Sequence, residues 1–247
     1  MRRRHMPAGG GNGPHVAGPD RRMVLDLMRG AARLLRSVPR RLRGRQSVFT
    51  RIYATNEWGS PESVSGYGST LRETRVARRV LPSLVARYGV DVLLDIPCGD
   101  CHWMREIDFC GRTYIGADIV AELIDRNQST YGGPNRSFMH RDVVRDPLPP
   151  TDLVLCRDCM IHLSNADVIE ALRNVRSSGA RYLLATTYAA RPTNPDIVTG
   201  DWRPINLQAP PFQLPPPLEL ISEEWDWADG YHADKCLALW DTAVLPR

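Results

Sequence analysis

The sequence predicts an α/β domain: a mostly parallel sheet, helices on both faces and an antiparallel last strand. Three observations carry this expectation. Short apolar runs recur at 90–96, 114–119, 137–142, 153–156, 182–187 and 236–245, helical or turn segments separate them, and the last run closes the chain. Strands that alternate with helices need crossover connections, and crossovers give parallel strands buried on both faces.

Taken in order, residues 1–22 (MRRRHMPAGGGNGPHVAGPDRR) are rich in Gly, Pro and Arg and lack an apolar run, so they read as a disordered basic leader. From 23 to 69 the chain reads as an N-terminal helix and cap segment. Val24, Leu27, Met28, Ala31, Leu34, Leu35 and Val38 recur at helical spacing, with Arg on the other face. That helix suits packing on the domain or on a homodimer mate, and weak membrane-surface contact through 23–45 is the alternative. The main domain runs over 70–247. Thr70–Tyr88 reads as a helix before the first strand, a short helix begins near Asp100, and another follows Asp118 to Asn127. A third starts after Ser164 as N-cap, with Asp167 at the third helical position. Residues 194–217 are long, irregular and proline-dense, the pattern of a lid loop.

Charge divides the chain. Residues 1–51 hold 13 Arg against Asp20 and Asp26, a net +11, while the remaining 19 cations and 26 anions leave −7. An acidic body is a poor partner for nucleic acid, which needs clustered cations. Six Cys without a signal segment, and no transmembrane run, suggest free thiols in a reducing cytoplasm. Cys98/Cys101 and Cys156/Cys159 have the spacing of zinc pairs, but each ends an expected strand rather than a knuckle.

Ligands of open α/β sheets bind beyond the carboxyl ends of the strands. Here those ends carry Asp95–Cys101, Asp118, Asp142 and Cys156–Asp158. Acids at several of them argue against a pyrophosphate, and Pro97 offers no N–H to a phosphate. A ligand with hydroxyls, amines or a positive centre fits better.

At these positions "DIPCGD" (95–100) resembles a variant of the first motif of class I S-adenosylmethionine-dependent methyltransferases, with Gly99 its one glycine. Asp118, 23 residues on, matches that family's ribose-gripping acid. "RDV" (141–143) resembles the adenine-contacting segment, and "DLVLCRDCMIHLS" (152–164) the fourth motif, next to the reacting methyl. The resemblance, from about residue 70 onward, implies a Rossmann-like seven-stranded sheet and S-adenosylmethionine as cofactor. The cofactor-binding residues it implies are Asp95, Pro97, Gly99, Asp100 and Trp103 around the first motif, Asp118 and Ile119, and Asp142 and Val143. Arg157, Thr70 and Arg75 compete for the cofactor carboxylate.

A narrower resemblance covers "NEWGSPESVSGYGSTLRET" (56–74), "CRDCMIHLS" (156–164) and "DIVTGDWRPINLQAPPFQLP" (196–215). These are similar to a bacterial subgroup found with polysaccharide and glycolipid clusters. They imply O-methylation of a sugar or oligosaccharide hydroxyl, a methylated mannoside among the acceptors. A non-sugar metabolite or a protein as acceptor, and a catalytically silent cofactor-binding module, are the alternatives. Transfer to an alcohol needs a base. His162 is the first choice, with Asp158 orienting it or binding a sugar hydroxyl; the competing reading has His162 packing on the sheet. Trp202, Arg203, Asn206 and Phe212 in the lid, with Asp196 and Glu224, are the expected acceptor residues. Magnesium on Asp158, Asp196 and Glu224 is an optional cofactor that no ligand pattern requires. His102, His140 and His232 read as surface or supporting residues.

Overall fold

The structure is a computed structural model and describes residues 44–225 and 230–247. The expected leader and the helix at 24–38 lie outside the described residues. A seven-stranded sheet forms the centre: β1 (Val92–Asp95), β2 (Thr113–Asp118), β3 (Arg136–His140), β4 (Leu153–Cys156), β5 (Tyr182–Tyr188), β6 (Glu219–Ser222) and β7 (Lys235–Asp241). Its order is β3-β2-β1-β4-β5-β7-β6. The pairs from β3 through β5 are parallel, and β7 runs antiparallel to both neighbours. This is the expected Rossmann-like architecture.

Apolar cores on both faces explain the continuous apolar strands. Helices α1 (Arg45–Thr55), α2 (Arg75–Arg87), α3 (Ala121–Tyr131) and α4 (Asn165–Ser177) accompany the sheet. On one face α4 buries Val168, Ala171, Leu172 and Val175; on the other α2 buries Leu81, Leu84 and Val85. Truncating a fully buried leucine such as Leu172 to alanine costs about 2–5 kcal/mol. Ser164 Oγ accepts from the Asp167 amide at 3.2 Å, so the expected cap forms. α2 starts five residues later than the sequence suggests. Thr70 is spent on a turn, its hydroxyl donating to Tyr67 O at 3.0 Å and accepting the Glu73 amide at 3.3 Å.

Residues 44–69 belong to the same compact unit as the sheet. α1 buries Val48 and Ile52, and Val48 lies so close to Gly200 that a Cβ there would sit 2.4 Å from Val48 Cγ1. The 194–217 segment is bonded into the domain through Asn194. Its side-chain amide donates to Asn206 O and Pro210 O at 2.8 Å, and its Oδ1 accepts the Asn206 amide at 2.8 Å. Among the described residues no helix is long and apolar enough to cross a membrane.

Candidate active site

A cavity of about 380 Å³ opens beyond the carboxyl ends of β1, β2 and β4, within the size range of small-molecule sites. Its wall includes Asp95, Pro97, Gly99, Trp103, Asp118, Ile119, Asp142, Val143, Arg157, Asp158, His162 and Trp202.

The turn after β1 is held from several sides. Asp95 is buried and accepts from the Tyr114 hydroxyl at 2.8 Å. Burial pushes its carboxyl up to about 7, opposed by the Tyr114 bond and reinforced by Asp118. Burial likewise pushes Asp118 up to about 6, although the Val120 and Gly99 amides donate to it at 2.9 and 3.1 Å. Gly99 has φ +53°, and a Cβ on it would fall 2.2 Å from Ser65 Oγ; glycine is needed for both reasons. Ser65 belongs to a segment strapped over this turn. Asp100 accepts from the Ser63 hydroxyl at 2.9 Å and the Val64 amide at 3.1 Å, and donates its own amide to Ser65 Oγ at 2.9 Å.

Beyond β4 lies a buried charge cluster. Asp158 adopts φ +52°, left-handed backbone that aims its carboxylate at Lys235 Nζ, 2.8 Å away, and Arg157 Nη1, 3.1 Å away. Burial opposes its ionisation, but Arg157 and Lys235 overcome this and hold the carboxyl below the usual range. Arg157 Nε also donates to Glu223 Oε1 and Nη1 to Gly68 O, both at 2.7 Å. Its Nη2 is buried without a hydrogen-bond partner among the described residues, and the guanidinium lies over the Trp103 ring. A Cβ on Gly68 would stand 2.7 Å from Asp158 Oδ2, so the strap needs glycine at that approach too.

His162 Nδ1 lies 2.9 Å from Asp201 O. A carbonyl oxygen only accepts, so Nδ1 carries the hydrogen and neutral His162 keeps a lone pair on Nε2. Burial lowers its pKa below 6.5, partly offset by the Asp201 bond and by Asp158. Its ring stacks on Trp58 with centroids 4.9 Å apart. Tyr188, Trp202, Trp225, Tyr231 and His232 complete an aromatic wall, with His232 4.9 Å from Trp225 and 5.5 Å from Trp202.

Several expected site residues stand elsewhere. Asp100 is off the cavity wall because the serine strap uses its oxygens. Thr70 is spent on its turn, and Arg75 donates to the Glu224 carbonyl. Arg203 is a buried strut, donating to Met160 O at 3.0 Å and Asn165 Oδ1 at 2.8 Å. Asn206 braces Arg191 O at 2.7 Å, and Phe212 packs in the core. Asp196 accepts the Asn165 amide at 2.7 Å, outside the cavity. Glu224 pairs with Arg79 at 3.3 Å in an exposed position. Asp158, Asp196 and Glu224 therefore do not converge on a metal. Among the described residues no three His, Cys, Asp or Glu side chains gather as a metal site, zinc thiolates included, and all six Cys are free.

The structure adds wall residues that the sequence reading left unassigned: Arg45, Phe49, Tyr53, Trp58, Tyr67, Gly68, Tyr188, Tyr231 and Lys235; His232, read as peripheral, joins them. Trp58 and Gly68 sit inside the quoted 56–74 stretch. Lys235 is brought in by its register opposite Tyr188, which strand pairing alone determines.

Residues 93–179, about a third of the chain, match a family described as a methyltransferase domain. No curated protein matches in sequence. Among solved structures, the N-methyltransferase NodS from Bradyrhizobium japonicum WM9, in complex with S-adenosyl-L-homocysteine, aligns with a TM-score of 0.55 at 14% identity, covering 76% of this chain and 97% of that one. Human N-acetylserotonin methyltransferase in complex with SAM aligns at 17% identity and a TM-score of 0.45, covering 57% of this chain. The chain spans only 41% of that human protein. At these identities the likeness to NodS speaks to the fold.

Proposed function

We propose, from the match of residues 93–179 to a methyltransferase-domain family, that the chain transfers a methyl group from S-adenosylmethionine to a hydroxyl of a sugar or oligosaccharide. The wall residues fit that donor. Asp118 suits ribose hydroxyls, Ile119 and Val143 offer apolar contact to a base, and the unpartnered Nη2 of Arg157 suits the donor's carboxylate. When bound, the donor supplies a methyl group on a sulfonium, an electrophile that needs no further activation.

The chain's own groups provide the rest. His162 Nε2 accepts the proton of the acceptor hydroxyl, and its lowered pKa keeps it neutral at physiological pH. Asp158, ionised and fixed by Lys235, orients the acceptor by accepting a second hydroxyl. Trp58, Trp202 and Trp225 supply flat faces for a sugar ring and exclude water. The observation that carries the reading is the fixed tautomer of His162 beside this aromatic wall.

Calorimetry with S-adenosylhomocysteine, then transfer of labelled methyl from S-adenosylmethionine to mono- and oligosaccharides, tests it. Micromolar binding and label in a saccharide are expected. Absence of binding sinks the donor. The same rings suit a flat non-sugar acceptor, so phenols belong in the panel; label appearing only there would replace the sugar.

A further inference from the structure

Arg45 opens α1 and divides its guanidinium between two carboxylates. Nε and Nη2 meet Asp142 Oδ2 at 3.0 and 2.8 Å, and Nη1 meets Asp167 Oδ1 at 2.8 Å. Asp142 follows β3 on the cavity wall, and its other oxygen accepts the Val144 amide at 2.9 Å. Asp167 lies in the first turn of α4, and its other oxygen accepts the Thr199 hydroxyl at 2.5 Å. One cation thus joins three parts of the chain far apart in sequence, α1, the segment after β3 and the start of α4, and Asp167 passes the link on to Thr199 in the loop that leads to Trp202. All three side chains are largely shielded, at 13%, 16% and 20% exposure, so salt screens the bridge less than a surface pair.

Among the described residues α1 has no other device at its start. No side chain caps Gly44, and no acid stands in its first turn. Yet α1 is a wall of the cavity, contributing Phe49 and Tyr53 beside Arg45 itself.

We propose that Arg45 is a positioning residue for the cofactor: by bridging Asp142 and Asp167 it locks α1 as a wall of the cavity, steadies through Thr199 the 196–201 loop that leads to Trp202, and so sets how fast the bound cofactor leaves. This rests on the reading that the cavity takes S-adenosylmethionine. The planar guanidinium suits the task because it donates to two carboxylates at once, which the point charge of lysine does not reproduce.

The test uses the full chain, with S-adenosylhomocysteine as probe and two readouts. Arg45→Ala is expected to raise the probe's dissociation rate about ten-fold, the change that about 1.4 kcal/mol of lost contact corresponds to. Arg45→Lys should restore only part of that. In the ligand-free protein, Arg45→Ala should speed amide exchange in 45–55 and 196–201 while β4 and β5 keep wild-type protection. Thr199→Val should loosen 196–201 and leave 45–55 protected. A folded Arg45→Ala protein with the wild-type dissociation rate overturns the proposal, as does exchange that accelerates evenly across the sheet. If the wild-type chain does not bind the probe, the donor reading fails, while the ligand-free exchange still reports on the bridge.

Discussion

Lys235 places its ammonium 2.8 Å from Asp158 Oδ2 and 3.2 Å from Glu223 Oε2, over the Trp225 ring at 4.1 Å. With Arg157 this makes two cations and two carboxylates, a formally neutral cluster shielded from solvent except where Asp158 reaches the cavity. Removing one member leaves a buried charge without its counter-ion. Lys235→Met should therefore destabilise the protein by about 3–5 kcal/mol at pH 7, measured by urea unfolding; a loss below about 1 kcal/mol would contradict the burial. Asp158 has a depressed pKa, so its contribution is present above the unfolded value near 4 and is lost as pH falls below it.

His162→Ala should slow methyl transfer by roughly 100-fold and leave affinity for S-adenosylhomocysteine unchanged, since a general base acts only on the transition state. The wild-type rate should rise with pH through a titration below the ordinary histidine value of 6.5, because burial favours the neutral ring. A variant with most of its turnover and the same acid limb would return His162 to a packing role.

Asp95 and Asp118 predict an opposite pH dependence for the ligand-free protein. Their folded pKa values, about 7 and about 6, lie above those of an unfolded carboxyl. Their contribution is complete in acid below the unfolded value and is lost as pH rises through 6–7. Asp95→Asn keeps an acceptor for Tyr114 and removes the buried charge. It should be more stable than wild type at pH 8 by about 1–3 kcal/mol, and this gain should shrink at pH 5. Thermal melts at the two pH values decide it.

Trp202 and Arg203 are neighbours with opposite expected phenotypes. Trp202 is 39% exposed on the cavity wall, so Trp202→Ala should raise the acceptor KM roughly ten-fold without altering melting temperature. Arg203 is 3% exposed and bonded to Met160 O and Asn165, so Arg203→Ala should cost about 1–3 kcal/mol of stability. Steady-state kinetics set beside melts of both variants separate the two.

The parallel strands were legible because burial on both faces makes their apolar runs continuous; 153–156 coincides with β4. β6 escaped direct reading. It is a four-residue edge strand with alternating burial that follows a proline run, too short for periodicity to register. At the site, position at the strand ends pointed to Asp95, Asp118 and Asp142 and the fourth-motif resemblance pointed to His162, and all four lie on the cavity wall. The functions of Arg203 and Asn206 were not, since the same donors that suit a sugar also suit the carbonyls of a folded-back loop. Asp100 misled for a similar reason: its partners, Ser63 and Ser65, lie more than thirty residues upstream. Lys235 entered through strand register, and no local pattern announces that.

The cavity wall is also ordered along the chain. Asp95, Asp118, Ile119, Asp142 and Val143 precede β4, whereas His162, Tyr188, Trp202, Trp225, Tyr231, His232 and Lys235 all follow it. A genetic crossover in the short stretch 148–150 would divide these two groups in a single splice, with Trp58 staying with the first and Arg157 passing with the second. Under the proposed reading, a graft at that point that changes the acceptor must bring its own arginine at the position of Arg157, and an acid at the position of Asp167 to meet Arg45.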